Sequence, residues 1–144
     1  MQRFDKLAWC WYQPYLFGFR DAEKNAAFVE KFGEIEAFIK DNMGSAAYLS
    51  GTDQPMYIDI YCFPLIERMI LLEHSFPEFW NEQDMRAKLP LAYDYVHRMM
   101  EHPSFRNYHA SPEAWVEHCK LQKARNDGVK VQLSISYLNR EKYN

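Results

Sequence analysis

The sequence predicts an all-α fold, a bundle of about five or six helices followed by a strand-like C-terminal tail. Apolar residues recur at helical spacing in successive segments of the chain. After a turn signal at residues 126–128 the apolar period changes to two. The chain has 144 residues, of which 48% are apolar and 26% are charged. This length and composition predict one globular domain, residues 1–127, with residues 128–144 as its tail.

The first predicted helix is an aromatic block at residues 4–19, in a chain that is 17% aromatic. Its positions at helical spacing are Phe4, Leu7, Trp11 and Tyr15. Pro14 is expected to kink or restart this helix. Apolar groups lie around most of its circumference, so more than one face must be covered. We expect this block to meet a partner protein, and for Tyr12 and Tyr15 the alternative is a place in an aromatic core.

Residues 21–42 predict an amphipathic helix. Asp21 is a suitable N-cap, and Gly44 follows at the position where a glycine commonly ends a helix. The apolar stripe is Phe28, Phe32, Ile35, Ile39 and Met43. The charged positions on the opposite side are Glu30, Lys31, Glu34, Glu36 and Lys40. One face of this helix is therefore expected in the core.

The apolar run at residues 56–72 predicts a helix at the centre of the fold, because its apolar positions are not confined to one stripe. Asp59 lies in the first turn, where a carboxylate can accept helical N–H groups and meets the positive end of the helix dipole. We expect Asp59 to be a structural capping residue. Pro64 is expected to bend the helix.

Two further helices are predicted, one at residues 84–101 and one that begins near residue 111. The stripe of the first is Leu89, Ala92, Val96 and Met99 or Met100, and the dipeptide His102-Pro103 ends it. In the second, Ser111 has the residue type of an N-cap, and Pro112 occupies the first helical position.

The tail changes both period and charge. Apolar and polar residues alternate over residues 129–137, which predicts a strand. Such a strand adds to a partner sheet, pairs with its copy in a homodimer or lies as an extended tail. We favour the homodimer, because one apolar face is left to bury. Residues 120–144 also carry six basic and two acidic residues, against eleven and eighteen in residues 1–119. This basic end can steer a partner, fold back on the acidic body or stay solvated.

Composition and motifs exclude several classes of protein. A pI near 5.9 argues against a general nucleic-acid binder. We expect no membrane span, because the longest apolar stretch is interrupted by charges and is too short. Cys10, Cys62 and Cys119 form no C-x-x-C pair, and with no signal peptide in view we expect a cytoplasmic protein. The five histidines lack metal-ligand spacing, and nucleotide-binding and serine-hydrolase motifs are absent.

Residues 48–69, YLSGTDQPMYIDIYCFPLIERM, resemble the start of the central helix in the C-terminal domain of glutathione transferases. The positions that match the family pattern are Gly51, Pro55, Asp59, Phe63-Pro64 and Glu67-Arg68. The resemblance is greatest to the omega class, which has a proline in the first helix and a late Ser-x-x-x-Trp motif. Pro14, Ser111 and Trp115 occupy those places here. The resemblance covers most of residues 4–125.

The chain departs from the family in two ways. Met56 stands where the family has a capping Ser or Thr, and a methionine cannot cap as a hydroxyl does. Nothing in residues 1–20 resembles the thioredoxin-fold domain that binds glutathione and holds the catalytic cysteine of the omega class. The resemblance therefore implies no catalytic residue and no cofactor in this chain. Glutathione is implied only where a thioredoxin-fold partner domain is present.

The resemblance also implies a substrate site. It places Arg68, Trp115 and a tyrosine two turns later around the electrophile, and that third position is Gln122 here. Tyr12 and Tyr15 of the first helix are expected to face the same cleft. The structural alternatives are an ion pair for Arg68 and core packing for Trp115, of which we favour packing for Trp115.

The sequence thus leads to two functional hypotheses. The first is a non-catalytic helical module that acts in protein–protein assembly or ligand binding, with a homodimer or a protein at the aromatic first helix as its partner. The alternative is the C-terminal, substrate-binding half of an omega-like glutathione transferase or thiol reductase. Its thioredoxin-fold half is then missing from this chain.

Overall fold

The computed structural model describes residues 22–74, 77, 80–108 and 111–129. In these residues the chain is an all-helical bundle without strands. Its helices are α1 (Ala22–Met43), α2 (Tyr57–Leu71), α3 (Glu82–Lys88), α4 (Pro90–Glu101) and α5 (Pro112–Asn126), and a short 3-10 helix, Leu72–His74, follows α2. The all-α fold class is confirmed. The aromatic block at residues 4–19 and, apart from Val129, the strand at 129–137 lie outside the described residues.

Helix α1 lies within one residue of its predicted bounds of 21–42, and the described part of its predicted stripe is buried, whereas Asp21 and the side chain of Phe28 lie outside what the structure describes. The buried side chains of this stripe are Phe32, Ile35, Ile39 and Met43, and Phe38 beside the stripe is buried as well. At its C-terminal end the Gly44 N–H donates to the Lys40 carbonyl at 3.2 Å, and Gly44 has φ of +57°. Glycine adopts this left-handed conformation without the steric cost of a Cβ, which explains why α1 ends there.

Asp59 stabilises the start of helix α2, and its side chain is fully buried. One carboxylate oxygen accepts the Leu49 N–H at 2.7 Å, and the other accepts the Met56 N–H at 2.9 Å. The Tyr95 hydroxyl, from α4, donates to the Asp59 carbonyl oxygen at 3.3 Å. Burial and the nearby Asp59 charge raise the pKa of Tyr95 far above its usual value, so this hydroxyl keeps its proton.

Helix α4 is the common packing partner of the bundle, because α1, α2 and α3 all contact it. Its buried face consists of Ala92, Tyr95, Val96 and Met99. The Glu36 carboxylate of α1 accepts the Leu91 N–H at 2.8 Å and the Ala92 N–H at 2.9 Å. At the other end of α4, Arg98 donates to the Ala47 carbonyl. These contacts fix α4 to α1 and to the loop that follows α1.

The prediction of one helix over residues 84–101 is wrong, because the structure divides this segment into α3 and α4. Leu89, at the break, has φ of −135° and ψ of 57°, which is outside the helical region. Pro90 causes this, since the ring of a proline disfavours the helical conformation in the preceding residue. Pro90 is then the first residue of α4. A proline is suitable there because the N–H of the first helical residue makes no hydrogen bond within the helix. Helix α3 has its own N-cap, Asn81, whose side chain accepts the Asp84 N–H at 2.9 Å.

Helix α5 begins as its sequence predicts. Ser111 is outside the helix and its hydroxyl accepts the Ala114 N–H at 3.2 Å, which is an N-cap interaction. Trp115 then enters the core with 1% of its surface exposed. A second tryptophan, Trp80, is fully buried and packs edge-on against Phe32 with ring centroids 4.7 Å apart. Among the described helices, none is long and apolar enough to cross a membrane.

We predict that Asp59→Ala lowers the free energy of unfolding by about 2–4 kcal/mol, because each buried donor left unsatisfied costs about 1–3 kcal/mol. The measurement is urea unfolding followed by far-ultraviolet circular dichroism. Asp53→Ala, at an exposed acidic position in the preceding turn, is the matched control and should change stability by less than about 0.5 kcal/mol. Equal unfolding midpoints for the two variants would contradict the capping role.

Candidate functional site

Arg68 and Trp115 are brought together in the structure, as the resemblance requires of its substrate site. The guanidinium carbon of Arg68, in the last turn of α2, lies 5.8 Å from the centre of the Trp115 ring. A cation over a tryptophan face is stabilised by about 0.5–2 kcal/mol, depending on its exposure to water. Trp115 itself is buried and Arg68 is half-buried. This arrangement can hold an anionic group above an apolar surface.

His118 and Cys119 adjoin this pair on α5. The His118 ring stacks on Trp115 with centroids 6.1 Å apart and planes 25° apart. Burial lowers the pKa of His118, and the charge of Arg68 lowers it further. The Cys119 thiol donates to the Trp115 carbonyl oxygen at 2.8 Å. In the part of the chain that the structure describes, no group of three His, Cys, Asp or Glu side chains could hold a metal ion.

The other predicted site residues are less closely defined. Gln122 lies two turns beyond Trp115 on α5 and is half-buried. Tyr12 and Tyr15 lie outside the described residues. The substrate-binding roles of Arg68, Trp115, Gln122 and the two tyrosines therefore stay predictions, although the first two are in contact. The burial of Trp115 agrees with a packing role for its ring.

A second polar cluster, which the sequence did not suggest, lies where α3 meets α4. The Tyr93 hydroxyl donates to Glu82 at 2.6 Å, and this hydrogen bond, followed by burial, raises the pKa of Tyr93. His97 Nε2 lies 3.9 Å from the same Glu82 oxygen. The Glu73 carboxylate accepts the Glu82 N–H at 2.7 Å. These residues come from three consecutive elements and form no short motif in the sequence.

An open groove of about 520 Å³ adjoins this cluster and is lined by Glu73, Asn81, Glu82, Gln83 and Arg86. Most of its polar groups are already engaged in helix capping and in contacts within the chain. Asn81 caps α3, Glu73 accepts a backbone N–H of α3, and Arg86 lies over the Tyr93 ring at 5.8 Å. We interpret the groove as a solvated junction between helices.

One face of α2 is exposed, although the sequence predicts that this helix lies at the centre of the fold. The outer face of α2 consists of Met56, Tyr57, Ile60 and Tyr61, which are 55%, 67%, 52% and 37% exposed. The Tyr57 and Tyr61 rings stack with centroids 6.4 Å apart. Helical spacing continues this face through Pro64 to Arg68. The apolar surface of α2 therefore leads to the candidate site.

Comparison of the chain with protein-family models, with curated proteins and with solved structures gives no match. The resemblance to the glutathione transferase C-terminal domain therefore rests on the residues quoted for it and stays a prediction.

We predict that His118 makes the protein less stable in mild acid. Its folded pKa is lowered, so the unfolded chain binds more protons and the free energy of unfolding falls as the pH drops through about 6.5. His118→Gln should lose less stability than the parent between about pH 7.5 and pH 5.5. Urea unfolding of both proteins across this range is the measurement. Parallel pH profiles for the two proteins would rule out a contribution from His118.

Proposed function

We propose that this chain is a non-catalytic helical module, similar to the glutathione transferase C-terminal domain, that acts in ligand binding or in protein–protein assembly. The observation that carries this proposal is the position of the Arg68 guanidinium over the Trp115 ring at 5.8 Å. The buried Asp59 adds support, because it caps α2 at the position where the family pattern has its aspartate. We also propose a cytoplasmic location, on the spacing of the cysteines.

The chemistry of this site favours a ligand that has an anionic group and an apolar body. Arg68 supplies a fixed positive charge with several N–H donors, which suits a carboxylate or a sulfonate. Pro64 and Tyr61 precede Arg68 by one and two turns on the same face of α2, and both are exposed. An apolar body can lie along these side chains while the anion meets the guanidinium.

The described cysteines do not suit thiol catalysis. Cys62 is fully buried, and the Cys119 thiol donates to a carbonyl oxygen within α5. A catalytic cysteine instead needs an accessible position near a helix N-terminus or a positive group that lowers its pKa. We therefore propose that this chain holds no cofactor, and that glutathione binds only where a thioredoxin-fold domain completes the protein.

The alternative function is the substrate-binding half of an omega-like glutathione transferase or thiol reductase. The same Arg68–Trp115 pair supports it, because the resemblance places both residues around an electrophilic substrate. On this proposal the aromatic block at residues 4–19 contacts the thioredoxin-fold domain. The coding sequence upstream of Met1 separates the two functions, since an in-frame thioredoxin-like segment with a cysteine near its first helix would favour the alternative.

We predict that 8-anilinonaphthalene-1-sulfonate, an anionic aromatic probe, binds the native chain through Arg68. Loss of one charge-assisted contact in Arg68→Gln should weaken binding about tenfold. Fluorescence titration measures the affinity. Arg86→Gln is the matched control, because Arg86 lies over the Tyr93 ring at the same distance of 5.8 Å. Equal affinities for the two variants would contradict a ligand site at Arg68.

Retention on immobilised glutathione tests the absence of a glutathione site in this chain. We expect the 144-residue chain to pass through the resin. Retention followed by elution with free glutathione would contradict the proposal, whereas retention that glutathione does not reverse is adsorption to the matrix and leaves the expected result standing.

A further inference from the structure

His118 lies against the same tryptophan ring as Arg68. The Arg68 guanidinium carbon is 5.8 Å from the centre of the Trp115 ring, and the His118 ring stacks on that indole at 6.1 Å, with the planes 25° apart. Trp115 and His118 are three residues apart on α5, which places them on the same side of the helix. One buried indole therefore brings a permanent cation from α2 and an ionisable imidazole from α5 close together.

The charge of Arg68 acts on this imidazole. Burial lowers the pKa of His118, and the positive charge of Arg68 lowers it further. The other charged groups near the pair on these two helices are Glu67 of α2, which is buried, and Glu113, Glu117 and Lys120 of α5, which are exposed. Among the described residues, Arg68 is the charge that shifts the pKa of His118.

An anion bound by Arg68 changes this balance. The carboxylate or sulfonate of a ligand offsets the charge of the guanidinium, so the repulsion between Arg68 and a protonated His118 falls. The anion also attracts the imidazolium, because both side chains lie against one indole. Both effects favour the protonated form of His118 in the ligand complex.

We propose that His118 takes up a proton when an anionic ligand binds at Arg68, so that the site binds its ligand more tightly in mild acid than at neutral pH. Thermodynamic linkage fixes this direction, since a ligand that strengthens proton binding is itself bound more strongly as the proton concentration rises. The affinity increases while the ligand-free site is neutral at His118. It becomes constant once His118 is protonated both with and without ligand.

This inference rests on the proposed ligand site at Arg68 and adds its dependence on pH. The residues that the resemblance implies for the site do not include His118. In this role His118 is a positioning residue for charge, because it acts on the ligand through the field at Arg68. A neutral analogue of the ligand gains nothing from the proton, so the preference of the site for anions increases in acid.

Isothermal titration calorimetry of the full chain with 8-anilinonaphthalene-1-sulfonate measures the proton uptake directly. The sulfonate stays ionised in mild acid, so the probe itself takes up no proton. At about pH 6, near the ordinary pKa of an imidazole, the binding heat should differ between two buffers of different ionisation enthalpy, because the buffer supplies the proton. This measurement needs no variant, and equal heats in the two buffers overturn the proposal.

Fluorescence titration of the same probe identifies the group. From about pH 7.5 to about pH 5.5 the affinity of the parent should increase about three- to tenfold, and His118→Gln should remove this increase because glutamine takes up no proton. His97→Gln is the matched control, because the His97 ring also lies against an aromatic ring, that of Tyr93 at 4.3 Å. This control should keep the pH dependence of the parent.

Partial unfolding in acid is a separate source of probe binding, because it exposes apolar surface. Far-ultraviolet circular dichroism at each pH verifies that the chains are folded. An increase in acid that Arg68→Gln shares with the parent does not arise at the ligand site and overturns the proposal. A pH dependence that persists in His118→Gln also overturns it, because another group then takes up the proton.

The neutral end of the titration separates this inference from the proposed function. Weaker binding there by Arg68→Gln than by Arg86→Gln supports the ligand site whatever the pH dependence is. Where that result is found but the affinity of the parent is constant or falls toward acid, the proton uptake is wrong and the ligand site stands. Equal affinities of the two variants overturn both.

Discussion

The buried carboxylate of Asp59 is the interaction on which the arrangement of the described helices depends. It joins the loop that follows α1 to the start of α2 by accepting the N–H groups of Leu49 and Met56, while Tyr95 attaches α4 to the same residue. A carboxylate without these donors would be too costly to bury. The N–H groups of Leu49 and Met56 satisfy this carboxylate, and Tyr95 binds the main-chain oxygen of the same residue, so three segments are joined at this end of the bundle.

The same physical solution recurs at the other helix junctions. Glu36 of α1 accepts two N–H groups at the start of α4, and Glu73 accepts the first N–H of α3. The first N–H groups of a helix have no partner within the helix and carry its positive dipole end. Carboxylates from neighbouring elements accept hydrogen bonds from these N–H groups here. Some acidic residues of this chain therefore connect helices.

The residues used for packing and capping leave only some surfaces of α2 available for binding. The inner face of α2 is occupied by Asp59 and the core, which leaves the outer face and, at its end, Arg68. Trp115 is used by the core, but its ring still supports the Arg68 guanidinium at 5.8 Å. On the proposed function, the ligand site lies on one side of α2, with apolar side chains at the start of the helix and a cation at its end.

The pattern of apolar residues determined the fold class, the limits of α1 and the capping of α2 and α5, because these depend on spacing and on residues close in sequence. The break between α3 and α4 also has a local cause, Pro90. The apolar spacing continues across this proline, and for that reason the sequence predicted one helix. The sequence pattern did not indicate the contact of Glu36 with α4 or the hydrogen bond of Tyr93 to Glu82. It also did not indicate the exposure of Tyr57 and Ile60. By itself the sequence determined, within the described residues, the helical segments α1, α2 and α5 and the residues that cap α2 and α5. Only the tertiary structure decided which face of α2 is buried, since two nearly equally apolar faces compete for one core and the contacts of Asp59 select between them.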